Sequence, residues 1–351
     1  MLTYIIKRLL LIIPTLFAII VINFAIVQVA PGGPVENLIA RLKNPHGGGE
    51  VGQASANISG NYMASQGLDP EMVASIKKLY GFDKPVYERF WLMVKSYATF
   101  DLGESYFKNA KVTDLIMRKL PISISLGLWS TLFIYLIAIP LGIKKALRDG
   151  QIFDIWSSFV IVIAYAIPSF ILAICLIIIF SGNGHMAYFP IRGIVSYNWE
   201  DMSLFGKIKD YCWHMILPTV TMTISGFATI AMLTKNSFLE EINKQYVLTA
   251  RAKGLTEKKV LYGHVFRNAM LLVISGIPDA FIKILFTSAL LIEIIFSLDG
   301  LGLLGYEAAI GRDYPVVFGS LYIYTLIGLL VNLITDLTYV LIDPRINFDK
   351  S

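Results

Sequence analysis

Six stretches of this chain are long and apolar enough to cross a bilayer, and that restricts the fold before any motif is read. They run from about Leu9 to Val29, Ile122 to Ile143, Ile155 to Phe180, Met215 to Thr234, Leu271 to Ser297 and Val316 to Ile342. An apolar run of about 18 residues or more spans the hydrocarbon layer as a helix, and a helix satisfies its own backbone where water is absent. Only 16% of the 351 residues are charged and 56% are hydrophobic, too apolar a balance for a soluble chain of this length. The expected fold class is all-α: a polytopic membrane protein with six transmembrane helices.

The first run follows Lys7 and Arg8. It is longer than the core of a signal peptide, and no small-x-small cleavage site precedes Ala30-Pro31-Gly32-Gly33-Pro34, so residues 1–30 read as a retained N-terminal span. Residues 31–118 are polar and long enough for a subdomain. Within them Asn44 to Gly67 is expected to be a flexible loop, and Asp69-Pro70-Glu71 to start a helix. Val86 to Phe100 is expected to form an amphipathic helix with Tyr87, Phe90, Trp91, Val94 and Tyr97 on one side. Residues 119–343 hold the other five spans, and 344–351 form a tail. Pro168 interrupts the third run and is expected to kink it.

Lys and Arg decide the orientation. With six spans, both termini and the segments around Lys144–Asp154 and 235–270 share one side, and they carry fourteen of the thirty cations. The two short loops opposite carry four: Arg192, Lys207, Lys209 and Arg312. Positive charge marks the cytoplasmic side, and the long first loop is read weakly. Both termini are therefore expected in the cytoplasm. The net charge of +5 follows from this topology and implies no nucleic-acid partner. Cys175 lies inside a run and Cys212 outside one, so no disulfide is expected.

Lys235 to Ala269 is a charged island with seven Lys and Arg residues between two spans. Glu240 to Lys253 is rich in helix formers, Gly254 suits a left-handed C-terminal cap, and Thr256 with Glu257 suits a second helix start. Ala250, Ala252 and Gly254 keep the elbow thin, so another protein's backbone could approach. Two readings stand side by side at this point: a loop that is basic only because it is cytoplasmic, and a docking site.

The strings TARAKG (Thr249 to Gly254) and HVFRNA (His264 to Ala269), with GFDKPVYERF, DLGES (Asp101 to Ser105) and SLDGLGLLGYEA (Ser297 to Ala308), resemble the peptide-uptake branch of bacterial ABC-importer permeases. The resemblance covers nearly the whole chain. It implies a type I ABC-importer permease fold with a large periplasmic loop after the first helix, in the bacterial inner membrane. It also implies that segment 235–270 is a coupling loop seated on an ATPase through Tyr246, Thr249, Ala250, Arg251, Ala252, Lys253 and Gly254. The implied partners are a second, homologous permease subunit, two ABC ATPase subunits or one tandem ATPase, a periplasmic solute-binding protein and membrane lipid. The implied cargo is oligopeptides, including peptide-nucleotides of the microcin C kind. Nickel or another small solute is the rival within the family, and a self-sufficient secondary transporter is the rival outside it. Two departures stand out: Leu248, Thr249 and Ala250 replace the family's Glu-Ala-Ala, and Phe266-Arg267 replaces its Leu-Pro.

Polar residues inside the spans are the remaining candidates. Thr221, Ser225 and Thr229 recur every four residues, a stripe that suits either a tight helix–helix interface or a translocation path. Asp279 and Lys283 are four apart and can neutralise each other as an intramembrane ion pair. Glu293 is read as lying near the outer end of the fifth span, either reaching the interface or lining the path. Gly300 and Gly302 belong to a Gly-x-Gly-x-x-Gly string that follows a membrane helix rather than a strand, so it is no dinucleotide site; a re-entrant turn or short helix facing the path is expected. No GxxxxGK[ST] and no HExxH occur, and the four histidines are scattered. No cofactor, metal or catalytic residue is expected, and the chain reads as a transport subunit rather than an enzyme.

Overall fold

The computed structural model describes residues 2–29, 84–181, 188–283 and 289–342. The described residues are helical, with two isolated bridges as their sole β-type pairings. In chain order the helices are α1 (Leu2–Val29), α2 (Val86–Ala98), α3 (Val112–Leu147), α4 (Ile152–Ala166), α5 (Ser169–Phe180), α6 (Leu204–Ile242), α7 (Gln245–Ala252), α8 (Glu257–Val260), α9 (Phe266–Ser275), α10 (Ile277–Lys283), α11 (Ala289–Ile295), α12 (Leu301–Gly311) and α13 (Tyr314–Ile342). Among the described residues five helices are long and apolar enough to cross a membrane, or six if the bent pair α4–α5 is one broken span. The fold is an all-α polytopic membrane protein. The expected loop at Asn44 to Gly67, the helix start at Asp69 and the helix stop at Asp343-Pro344 lie outside the described residues.

Several helix boundaries differ from the hydropathy reading. α3 has 36 residues and α6 has 39, each well beyond its apolar stretch. Hydropathy marks the width of the bilayer, whereas the helix continues for as long as its residues favour it. The fifth span starts at Glu257, inside the charged island, and runs to Ile282; α11 is a separate helix. Pro168 does more than kink the third run. The two halves meet at 94°, with Ile167 and Pro168 in extended conformations between them. Proline removes a backbone donor and pushes the residue before it out of helical space, so the break falls at this pair.

The described chain forms two compact units, with boundaries near Lys119, Leu304 and Ile327. The larger, built mainly from Lys119 to Leu303, is organised around α6, which packs against α4, α5 and α9. Small residues let α3 and α6 approach closely. A methyl group added to Gly142 would sit 2.6 Å from Thr234 Cβ and 2.7 Å from the Ala231 carbonyl oxygen. Ala138, Ala228, Ala231 and Ile161 close the same seam. The core continues through Met222, Phe238, Val265, Val273 and Phe296.

The smaller unit, Lys7 to Arg118 with Leu304 to Leu326, is held by rings and one buried acid. Phe90 of α2 meets Phe17 and Phe24 of α1 edge-on, and Tyr97 meets Tyr322 at 5.1 Å. The DLGES loop is folded by its own residues. The Asp101 carboxylate accepts from Gly103 N–H at 3.2 Å, Leu102 is buried, and the Ser105 hydroxyl donates to Asp313. Asp313 also accepts from Tyr106 N–H at 3.1 Å. Burial pushes its carboxyl up, and those two bonds oppose the shift.

Candidate functional site

The elbow within the charged island is built by a short break after α6. The Glu241 carboxylate accepts the Tyr246 hydroxyl at 2.6 Å and pairs with the Lys244 ammonium, so the turn at Asn243–Lys244 is pinned from both sides. Asn268 on α9 bonds to the same pair. Burial and the Glu241 bond push the Tyr246 hydroxyl up, and the Glu241 bond holds Lys244 above the usual lysine range. α7 then buries Val247 and Ala250 while Leu248, Thr249, Arg251 and Ala252 face outward. The helix ends in a Schellman arrangement: Gly254 N–H donates to the Arg251 carbonyl at 2.9 Å and Leu255 N–H to the Ala250 carbonyl at 3.4 Å. Gly254 has φ +76° with open space around its α-carbon, so the backbone conformation and not crowding demands glycine there.

Across the elbow Arg251 grips Glu257 with two bonds, 2.9 and 3.2 Å. Both side chains are exposed, so the pair adds about 1 kcal/mol or less, yet its forked geometry fixes the angle between α7 and α8. Thr256 occupies the N-cap position of α8 with extended backbone but makes no side-chain cap bond. Leu261–Val265 forms one turn of π-helix, which keeps Leu261 and Val265 both in the core and leaves His264 outside. Ala252, Lys253 and Gly254 all stay exposed. The result is a braced knuckle whose crest sets Ala252 and Gly254 beside two exposed cations, Arg251 and Lys253.

A second arrangement lies at Glu293. It does not reach an interface: the side chain is fully buried. Its carboxylate accepts the Ser123 hydroxyl at 2.7 Å and Leu303 N–H at 2.8 Å, while Ser123 accepts Leu301 N–H at 2.8 Å. A carboxylate at the free amides of a helix's first turn is electrostatically favoured. The chain returns to it because Ser297 adopts a left-handed conformation (φ 51°) and Leu298 N–H bonds the Glu293 carbonyl at 2.7 Å. A methyl on Gly300 would fall 2.7 Å from Glu293 Oε2 and closer still to Oε1, and one on Gly302 would fall 3.0 Å from Oε2. The two glycines therefore exist to let this carboxylate pass. Lys119 pairs with Asp299 beside them.

The sequence family described as "binding-protein-dependent transport system inner membrane component" matches residues 138–348. The chain belongs to that family. Among its relatives, the inner membrane ABC transporter permease protein YejB of Escherichia coli O157:H7 is 56% identical over 99% of both chains. The peptidoglycan transport system permease protein YejB of Agrobacterium fabrum is 53% identical over 99% of this chain and 98% of its own. The oligopeptide transport system permease protein AppB of Bacillus subtilis is 33% identical over 99% and 100%. The fold is similar to that of a MetNI methionine ABC transporter in an inward-facing conformation, with 18% identity, a TM-score of 0.50, and coverage of 66% of this chain and 97% of that one. The protein is thus a multi-pass inner-membrane permease subunit.

The permease treats its other polar candidates differently from one another. Thr221 is fully buried and its hydroxyl bonds back to the Leu217 carbonyl at 2.8 Å; Ser225 is half-buried and bonds to the Thr221 carbonyl at 3.0 Å; Thr229 is exposed. The stripe therefore turns from core to surface along α6. Asp279 sits in the first turn of α10, while the Lys283 side chain lies outside the described residues, and with it the pairing of the two. Cys175 and Cys212 are free and exposed.

A buried charge cluster that the sequence does not reveal joins the C-terminal ends of α3 and α6 to the start of α4. Lys145, fully buried, contacts Asp154 Oδ1 at 2.8 Å, the Asp154 carbonyl at 3.0 Å, Ser157 at 2.9 Å and Ser158 at 2.6 Å. Lys235 reaches Asp154 Oδ2 at 2.7 Å and Asp149 at 2.8 Å. In the sequence both lysines look like ordinary members of the positive-inside set. The sole hint is an aspartate at the threshold of an apolar helix.

Proposed function

We propose that this permease forms half of the translocation pathway of an ATP-driven importer of short peptides, with a second, homologous permease subunit forming the other half. The observation that carries the proposal is the elbow: a braced knuckle whose exposed crest, Thr249 and Arg251 to Gly254, sets the small Ala252 and Gly254 among the Arg251 and Lys253 cations. Among the described residues nothing covers that surface, and a groove of a separate ATPase would fit it. Tyr246 and Ala250 sit beneath the crest and transmit load into α6 and α9. Two ABC ATPase subunits, or one tandem ATPase, hydrolyse ATP; the permease itself is no enzyme. The N-terminus, the elbow and the C-terminus face the cytoplasm, and the segment after α1 faces a periplasmic solute-binding protein.

Peptide cargo is supported by relatives whose names specify oligopeptide, dipeptide or peptidoglycan transport. Their shared chemistry is a short peptide chain, which also admits peptide-nucleotides of the microcin C kind. Thr221, Ser225, Thr229, Glu293, Gly300 and Gly302 stay the candidates for shaping the path, with Glu293 and the glycines acting as a clamp rather than as a contact surface. Asp279 and Lys283 are proposed to neutralise each other. The test is co-purification of the tagged permease, gently solubilised, with its neighbours. An ATPase that comes with the native chain and is lost with Ala252→Trp supports the reading; retention in that variant contradicts it.

A further inference from the structure

We propose that the Lys145–Asp154–Lys235 cluster is a positioning strut that makes α3, α4 and α6 move as one body at their cytoplasmic ends, so that displacement at the elbow reaches the bent span α4–α5. This rests on the elbow being the site of ATPase docking. Lys235 lies seven residues before the end of α6, about two helical turns from the knuckle. α3 and α6 are already locked together at the same level, where Gly142 meets Thr234 and Ala231. α4 has far less to hold it. Ile155, Trp156, Phe159 and Val160 are all exposed, and within the helix only Asp154 and Ile161 are buried. Ile161 packs into the α3–α6 seam, which leaves Asp154, and the Phe153 ring beneath Lys144 and Arg148, to attach the end nearest the elbow.

The chemistry of the cluster suits a strut better than a simple stabilising pair. Asp154 Oδ2 accepts from Lys235 of α6, while Oδ1 lies 2.8 Å from Lys145 Nζ of α3 without a hydrogen bond of its own; Lys145 grips the start of α4 through the Asp154 carbonyl and two serines. A buried ion pair contributes little net stability compared with apolar residues of the same volume, but it is stiff and directional, and breaking it leaves a charge stranded. Its direction here joins three helices at one atom group. At the far end of α4 the chain turns by 94° at Pro168, so a push on α4 is redirected into α5.

The test uses the assembled importer. Spin labels at Ile152→Cys on α4 and Asn236→Cys on α6, in a Cys175→Ala, Cys212→Ala background, report the α4–α6 spacing with and without trapped ATP; both labelled positions are exposed. The strut predicts one spacing in both nucleotide states. A second preparation carries Lys145→Met with Asp154→Leu, which removes the pair without stranding a charge. Its spacing is then expected to depend on nucleotide, and solute imported per ATP hydrolysed to fall roughly tenfold, the scale of a typical coupling, with ATPase co-purification and Tm little changed. A nucleotide-dependent spacing in the parent complex, or unchanged import per ATP in the double variant, overturns the strut. If the double variant does not fold, the parent spacing decides alone. A parent chain that binds no ATPase overturns the docking reading and the strut with it.

Discussion

Gly300→Ala is the sharpest probe of the Glu293 clamp. The added methyl would fall 2.7 Å from Glu293 Oε2, with the other carboxylate atoms nearer still. Glu293 cannot step aside freely, because it is fully buried and bonded to Ser123 and Leu303 N–H. Overpacking at such a site costs about 1–3 kcal/mol, and forfeiting a buried hydrogen bond adds about 1–3 kcal/mol. A total of about 2–6 kcal/mol is expected, read as a fall in Tm of several degrees or more in the purified complex. The decisive comparison is the same substitution in a Glu293→Ala background. There the three atoms nearest the methyl are gone, and the cost of Gly300→Ala is expected to fall sharply, so the two changes couple by about 2 kcal/mol or more. Equal costs in both backgrounds would refute the clamp and leave the glycine unexplained.

Other perturbations follow from the same geometry. At Gly254, alanine or valine is strained by the positive φ and is expected to cost about 1–2 kcal/mol, with asparagine tolerated best, as measured by Tm. Ser105→Ala removes a hydroxyl from the buried Asp313 and is expected to destabilise the smaller unit by about 1–3 kcal/mol, whereas Ser105→Thr keeps the donor and should restore most of it in the same assay. Neutralising Asp279 and Lys283 together is expected to impair uptake less than neutralising either alone, since a lone intramembrane charge is the costlier state; losses that add would reject the pairing.

The sequence exposed whatever depends on neighbouring residues. Gly254 announced its left-handed cap because a helix-forming stretch stops there, and Pro168 announced a weak point because its ring disfavours the helix, although Pro121, Pro140 and Pro218 lie inside unbroken helices. The apolar runs gave the spans, though not the ends of α3 and α6, since helix propensity outlasts hydropathy at both. The burial of Glu293 was not legible because its environment comes from Ser123, 170 residues away, and from amides that fold back over it. Lys145, Asp154 and Lys235 stayed hidden for the same reason. A lysine beside a span looks the same whether it meets water or a buried carboxylate, and only the packing of three helices decides between them. The π-turn at Leu261–Val265 carried no local mark at all.

The account stands on the separation of pathway and motor. Proteoliposomes holding this permease alone, and others holding it with its second permease, ATPases and binding protein, can be loaded with ATP and given labelled short peptide outside. Uptake that requires the ATPases and stops with Ala252→Trp is the predicted result. Accumulation of peptide by the isolated permease, with no nucleotide hydrolysed and no companion protein present, would contradict it.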